Sequence, residues 1–154
     1  CLLTSNEEVL STTLHIAQAR LAAPTIDQFA SAHMLDNIKD DYLENARNEF
    51  KARRDALYYA LRAIPNVTVH KPKGAFYTIA QLPVDDAEAF ATYLLSQFSY
   101  GGKTTFIAPA AGFYMQNSKG TKKARFAFVL KKSEIEAAIE VLAAGLLQYL
   151  RQQP

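Results

Sequence analysis

The strongest constraint on this chain is a change of hydrophobic period at Pro65-Asn66. Before that point apolar residues recur every three or four positions. After it, short runs alternate apolar and polar residues, interrupted by two further helical stretches. A side-chain period of 3.6 and one of 2.0 require different backbones. The expectation is therefore a helical first third followed by a mixed remainder, in which a small sheet carries helices on one face. In class terms this is α/β, with an α+β small domain. The segments expected are 1–35 (a strand and helices), 36–65 (one long bridging helix) and 66–154 (the α+β layer).

Local signals fill in this outline. Ser5-Asn6-Glu7-Glu8 reads as a capping box, and Val9, Leu10, Thr13, Ile16, Ala17 and Leu21 follow at helical spacing. Pro24 ends that helix or opens the next, whose Ile26, Phe29, Ala30, His33 and Met34 are expected to be mostly buried. Asp36-Asn37 reads as a third helix start, with Ile38, Tyr42, Ala46, Phe50, Leu57, Leu61 and Ile64 along one face. Strands are expected at Val67–His70, Ala75–Leu82, Thr104–Ile107 and Ala124–Leu130. Asp85-Asp86 opens an intervening helix, and Ser133-Glu134-Ile135-Glu136 caps a terminal one with Ile135, Ile139, Leu142 and Leu146 inward. Cys1-Leu2-Leu3-Thr4 reads as a strand with nothing before it and no initiator Met, so the sequence is expected to be a piece of a longer chain.

Composition removes several classes of function. A formal charge of +2, without a dense basic stripe, gives no footprint for nucleic acid. The run from Lys51 to Arg54 reads as a solvated helix face, and the pair Lys122-Lys123 is short. One cysteine precludes an internal disulfide and fits a reducing cytoplasm. No apolar run approaches the roughly 18–20 residues that span a bilayer. His15, His33 and His70 lack partners at metal-ligand spacing. No nucleophile elbow is present, and Gly101-Gly102 reads as a turn, not a phosphate loop.

Two features could carry chemistry. Arg125 stands in the otherwise apolar run Ala124-Arg125-Phe126-Ala127-Phe128, where it shares a strand face with Ala127 and Val129. A guanidinium there either pairs with a structural carboxylate or offers its planar fork to an anion. Gly74 opens Gly74-Ala75-Phe76-Tyr77, removing a side chain where the backbone turns into a strand that presents two rings to opposite faces.

Taken in order, Lys73-Gly74-Ala75-Phe76-Tyr77, Ala108-Pro109-Ala110-Ala111-Gly112-Phe113-Tyr114 and Ala124-Arg125-Phe126-Ala127-Phe128 resemble the C-terminal portion of class I/II, fold-type I aminotransferases. The likeness is greatest to the bacterial aspartate aminotransferase branch, and Gln18 to Thr25 also fit what that branch places after its cofactor lysine. The resemblance implies transamination between an amino acid and a 2-oxo acid with pyridoxal 5'-phosphate, in a cytoplasmic homodimer of amino-acid metabolism and biosynthesis. It makes 1–35 the end of the large domain and 66–154 the small domain. Arg125 then grips the substrate α-carboxylate, Gly74 borders the active-site mouth, and Arg20 lies near an arginine for a side-chain carboxylate. None of the ten lysines has the setting of the cofactor lysine, so the segment is expected to be inactive alone. The competing expectation is a free-standing module that binds an amino acid or keto acid without catalysis.

Overall fold

The computed structural model describes residues 2–152. The chain forms two compact units, Cys1–Leu43 and Glu44–Pro154.

The first unit holds α1 (Glu7–Arg20) and α2 (Thr25–Asn37). The N-cap of α1 is Asn6 instead of Ser5: the Asn6 carboxamide oxygen accepts from the Glu8 and Val9 amides at 3.0 and 3.2 Å. Asn fills this role as well as Ser, so the neighbouring residues compete and local geometry decides. Pro24 flanks α2 as its N-cap, and its carbonyl accepts from the Gln28 amide at 3.1 Å. Two expectations fail here. Leu2 to Thr4 form no strand, and Cys1 lies outside the described residues. Neither helix buries any residue, with Ile26 and Phe29 left 82% and 74% exposed. Apolar residues ring α2 instead of forming a single stripe, and two short helices cannot enclose a core.

In the second unit, α3 (Tyr42–Ala63) begins later than Asp36-Asn37, because α2 itself runs to Asn37. Its buried Leu57 and Leu61, with Ile64 just beyond, sit at i, i+4 and i+7 and face the core. The helix ends where Asn66 takes a left-handed φ of 63°, the conformation Asn tolerates best after glycine. Strands β1 (Thr68–Val69), β2 (Tyr77–Gln81), β3 (Ala108–Pro109) and β4 (Lys123–Ala127) then build one antiparallel sheet ordered β1-β2-β4-β3. The third strand is Ala108–Pro109, not Thr104–Ile107. Thr104 is diverted, its hydroxyl donating to the Leu94 carbonyl at 2.6 Å.

One sheet face is covered. Thr78 and Ala80 of β2, and Ala124 and Phe126 of β4, point into a core shared with α3, α4 (Ala87–Ser96) and α5 (Lys132–Arg151). Asp86 caps α4 through the Glu88 amide at 2.8 Å. At α5 the cap lies two residues before Ser133, since Glu134 accepts from the Lys131 amide at 3.0 Å. Phe90, Leu61, Leu82, Leu94 and Leu142 are fully enclosed, each worth about 1.5–3 kcal/mol relative to exposure.

Two local contacts hold the sheet surroundings in place. Asp55 on α3 receives Arg54 at 2.7 Å and Lys71 at 2.9 Å, tying the helix to the segment after β1. Partial burial raises its pKa, but the bonds from Lys71 and Arg54 outweigh this and hold the carboxyl below its usual range. At the other end, a Cβ on Gly120 would lie 2.5 Å from the Ala110 carbonyl oxygen, so the loop before β4 can approach β3 only as glycine.

Gly120→Ala is expected to destabilise the protein by about 1–3 kcal/mol. Gly112→Ala, whose added Cβ meets nothing within 4 Å, should change it by less than about 0.5 kcal/mol. Urea midpoints distinguish the two. For Asp55, a depressed folded pKa gives stability that is complete above the unfolded value and lost as pH falls through the folded one. Asp55→Asn is therefore expected to cost about 1 kcal/mol at pH 7, and the difference should close as pH falls below the usual aspartate range. A penalty that persists in acid would show that the ion pairs are not its source.

Candidate functional site

Arg125 sits near the middle of β4, opposite Ile79 of β2 and Ala108 of β3. Buried neighbours at Ala124 and Phe126 force it, by alternation, onto the exposed face of the sheet. There its guanidinium carbon lies 5.3 Å from the centroid of the Tyr77 ring and 4.8 Å from that of Phe113. Tyr77 comes from β2, two positions along the same face. Phe113 comes from the 3-10 turn Ala111–Phe113, which directly follows β3. That turn is fixed by the Ala110 amide donating to the Lys123 carbonyl at 2.8 Å and by the close approach of Gly120.

The guanidinium makes no ion pair and no side-chain hydrogen bond among the described residues. Cation–ring contact at an exposed site contributes only about 0.5–1 kcal/mol. It restricts the side chain while leaving the N–H donors in its plane available. The arrangement can bind a planar carboxylate through two parallel hydrogen bonds. Beside it, a cavity of about 350 Å³ opens between Thr105–Ala108, β4 and α5. Lys123, two residues before Arg125 on the same strand, places Nζ 4.7 Å from the Tyr114 ring centroid and 3.4 Å from its hydroxyl.

Gly74 does not join Arg125: it lines a separate cavity next to α3. Gly74 does lie in the bend that precedes β2, but the left-handed φ there, 59°, belongs to Ala75, and an added Cβ on Gly74 would meet nothing. Arg20 lies exposed in the last turn of α1, within the first unit, and makes no ion pair among the described residues. Phe76 and Tyr77 part company as alternation requires. Phe76 packs on Phe50 at 4.8 Å, and Tyr77 on Arg125. The pairing of Phe113 with Arg125 was not readable in sequence, because the turn that delivers it depends on β3 pairing with β4. Among the described residues no group of three His, Cys, Asp or Glu could hold a metal, and no helix is long and apolar enough to cross a membrane.

Comparison with known proteins identifies the family and the fold. The aminotransferase class I and II family matches residues 1–142. An aspartate aminotransferase of Bacillus sp. (strain YM-2) is 25% identical over 142 residues, 88% of this chain and 34% of that protein. A probable aspartate/prephenate aminotransferase of Aquifex aeolicus (strain VF5) is 30% identical over 90 residues, 58% of this chain and 23% of its own. The chain thus spans about a third or less of the length of these curated relatives. Among solved structures, the α-aminoadipate aminotransferase LysN of Thermus thermophilus, complexed with N-(5'-phosphopyridoxyl)-L-leucine, covers 96% of this chain and 38% of its own. Its TM-score is 0.78 at 21% identity. The four-stranded antiparallel sheet with its covering helices is accordingly that of fold-type I aminotransferases. With a family match that runs from residue 1 to residue 142, this chain belongs to the aminotransferase class I and II family.

Proposed function

We propose that these residues form the C-terminal part of a pyridoxal 5'-phosphate-dependent aminotransferase that uses dicarboxylic substrates such as aspartate, with Arg125 as the arginine for the substrate α-carboxylate. The observation that carries the proposal is a guanidinium oriented over two rings with no anion from the described residues beside it. The aspartate assignment draws on the names of the two curated relatives. In this reading 1–35 ends the large domain, 36–65 bridges and 66–154 is the small domain. Arg20 serves a side-chain carboxylate, Gly74 borders the mouth of the complete active site without joining Arg125, and the complete enzyme is a cytoplasmic homodimer.

The cofactor itself does not fit the residues present. Nine of the ten lysines are exposed, and the half-buried Lys123 has its Nζ against Tyr114. The cavity that Lys51 and Lys73 line contains no carboxylate to face a pyridinium nitrogen. No step through the cofactor is assigned to this chain. Its share is to bind and orient a carboxylate: Arg125 fixes one end of the substrate, and the rings of Tyr77 and Phe113 limit its rotation.

In the complete enzyme, Arg125→Ala is expected to lower kcat/KM for every amino-acid substrate on the order of 100-fold or more, from loss of charge-assisted bonds worth about 1.5–3 kcal/mol each. Arg125→Lys keeps the charge but not the fork, and should recover only part. Steady-state kinetics with alanine and aspartate test the assignment. A loss confined to aspartate would move Arg125 to the side-chain carboxylate and overturn it.

A further inference from the structure

We propose that a second cavity, formed between α3 and the turn before β2, binds a small organic anion carrying two or more negative charges. Its volume is about 370 Å³, at the low end of small-ligand pockets. Arg47, Lys51 and Arg54 line it from α3 at four- and three-residue spacing, so they share one helix face. Lys73 reaches it from the turn before β2, beside Gly74. In sequence the run from Lys51 to Arg54 reads as a solvated face. In the fold, Lys51 and Arg54 converge with Arg47 and Lys73 on one concave surface.

Three of the four charges there are uncompensated, those of Arg47, Lys51 and Lys73. No carboxylate lines the cavity. The acidic residues closest in sequence are already engaged, Asp55 by Arg54 and Lys71 at 2.7 and 2.9 Å and Glu49 by Arg53 at 2.7 Å. Arg47, Lys51 and Lys73 make no ion pair and no side-chain hydrogen bond among the described residues. Gathering like charges at a concave surface raises the local potential and concentrates counter-ions. Phe50, Ala75 and Phe128 complete the lining, so the cavity offers apolar surface to an organic body as well as charge to its anionic groups.

This cavity is distinct from the Arg125 site. Strand alternation puts the buried Phe128 on the covered side of the sheet and Arg125 on the open side. The cavity beside Arg125 and this one share no lining residue. The assignment therefore does not depend on transamination, and it adds a ligand to the protein, not a role to the substrate site.

Calorimetric titration with citrate and with inorganic phosphate tests it, each at an ionic strength matched with NaCl because exposed charges are screened by salt. Titrating the Arg125→Ala protein removes the other anion site from the signal. Saturable citrate binding is expected there, weakened at least tenfold by Lys51→Glu with Lys73→Glu. Both lysines are exposed, and circular dichroism verifies the fold. Should the charge reversals unfold the chain, Lys51→Gln with Lys73→Gln gives the same reading with a smaller loss. Phosphate binding more weakly than citrate assigns part of the affinity to the organic body and supports the proposal, whereas phosphate binding as tightly as citrate would show no preference for an organic anion and overturn it. No saturable heat from either anion, or affinity unchanged by the lysine substitutions, overturns the proposal. A loss of citrate binding on Arg125→Ala alone would place the anion at the other site and overturn it equally.

Discussion

The alternation along β4 is the constraint on which the rest of this structure depends. Ala124 and Phe126, with Phe128 just beyond, must enter the core beneath α3, α4 and α5. That requirement turns Lys123, Arg125 and Ala127 outward. A slip of one residue in the pairing with β2 would send a guanidinium into the core and two phenylalanines into solvent, so the register is strongly specified. The register then determines the site: Ile79 opposite Arg125 brings Tyr77 alongside on the same face. Pairing of β3 with β4 carries the following turn, with Phe113, to the other neighbour of the guanidinium.

Electrostatics and packing divide the work in the second unit. Carboxylates that stabilise the fold are committed to cations near them, as Asp55 is to Lys71 and Arg54, and Arg53 ties Glu49 to the Val129 carbonyl at 2.6 Å. Four of the cations left without a carboxylate bear on the two sites. Arg125 stands on the open side of the sheet, while Arg47, Lys51 and Lys73 gather on the helix side. Exposed ion pairs contribute little to stability, so leaving these cations without partners costs the fold little. It also leaves them able to bind anions.

Much of this was legible in the sequence, and the failures have physical causes. The stripes Leu57, Leu61, Ile64 and Ile135, Ile139, Leu142, Leu146 were readable because burial of one helix face imposes its period directly. Arg125 stood out because a charge in an apolar run needs an explanation. Helix starts shifted by a few residues because Ser5, Asn6, Asp36 and Asn37 are all competent caps, and tertiary context selects among them. Thr104–Ile107 looked like a strand by composition, yet the ladder with β4 forms at Ala108–Pro109, a matter of long-range pairing that no local pattern records. Gly74 was read as a turn glycine and does lie in the bend before β2, but the left-handed φ falls on Ala75, which no local pattern marks. The basic cavity was unreadable because Lys73 joins Arg47 and Lys51 only through the return of the chain after β1.

In the proposed function Arg125 is held ready for a carboxylate and not for a partner within the described fold. A crystal structure of the protein grown with a C4 or C5 dicarboxylic acid tests it most directly. The expected result is a ligand carboxylate within hydrogen-bond distance (about 2.7–2.9 Å) of the Arg125 guanidinium nitrogens, with Tyr77 and Phe113 still beside it. A structure in which Arg125 pairs with a protein carboxylate, or in which the acid occupies other sites and leaves Arg125 bare, would contradict it.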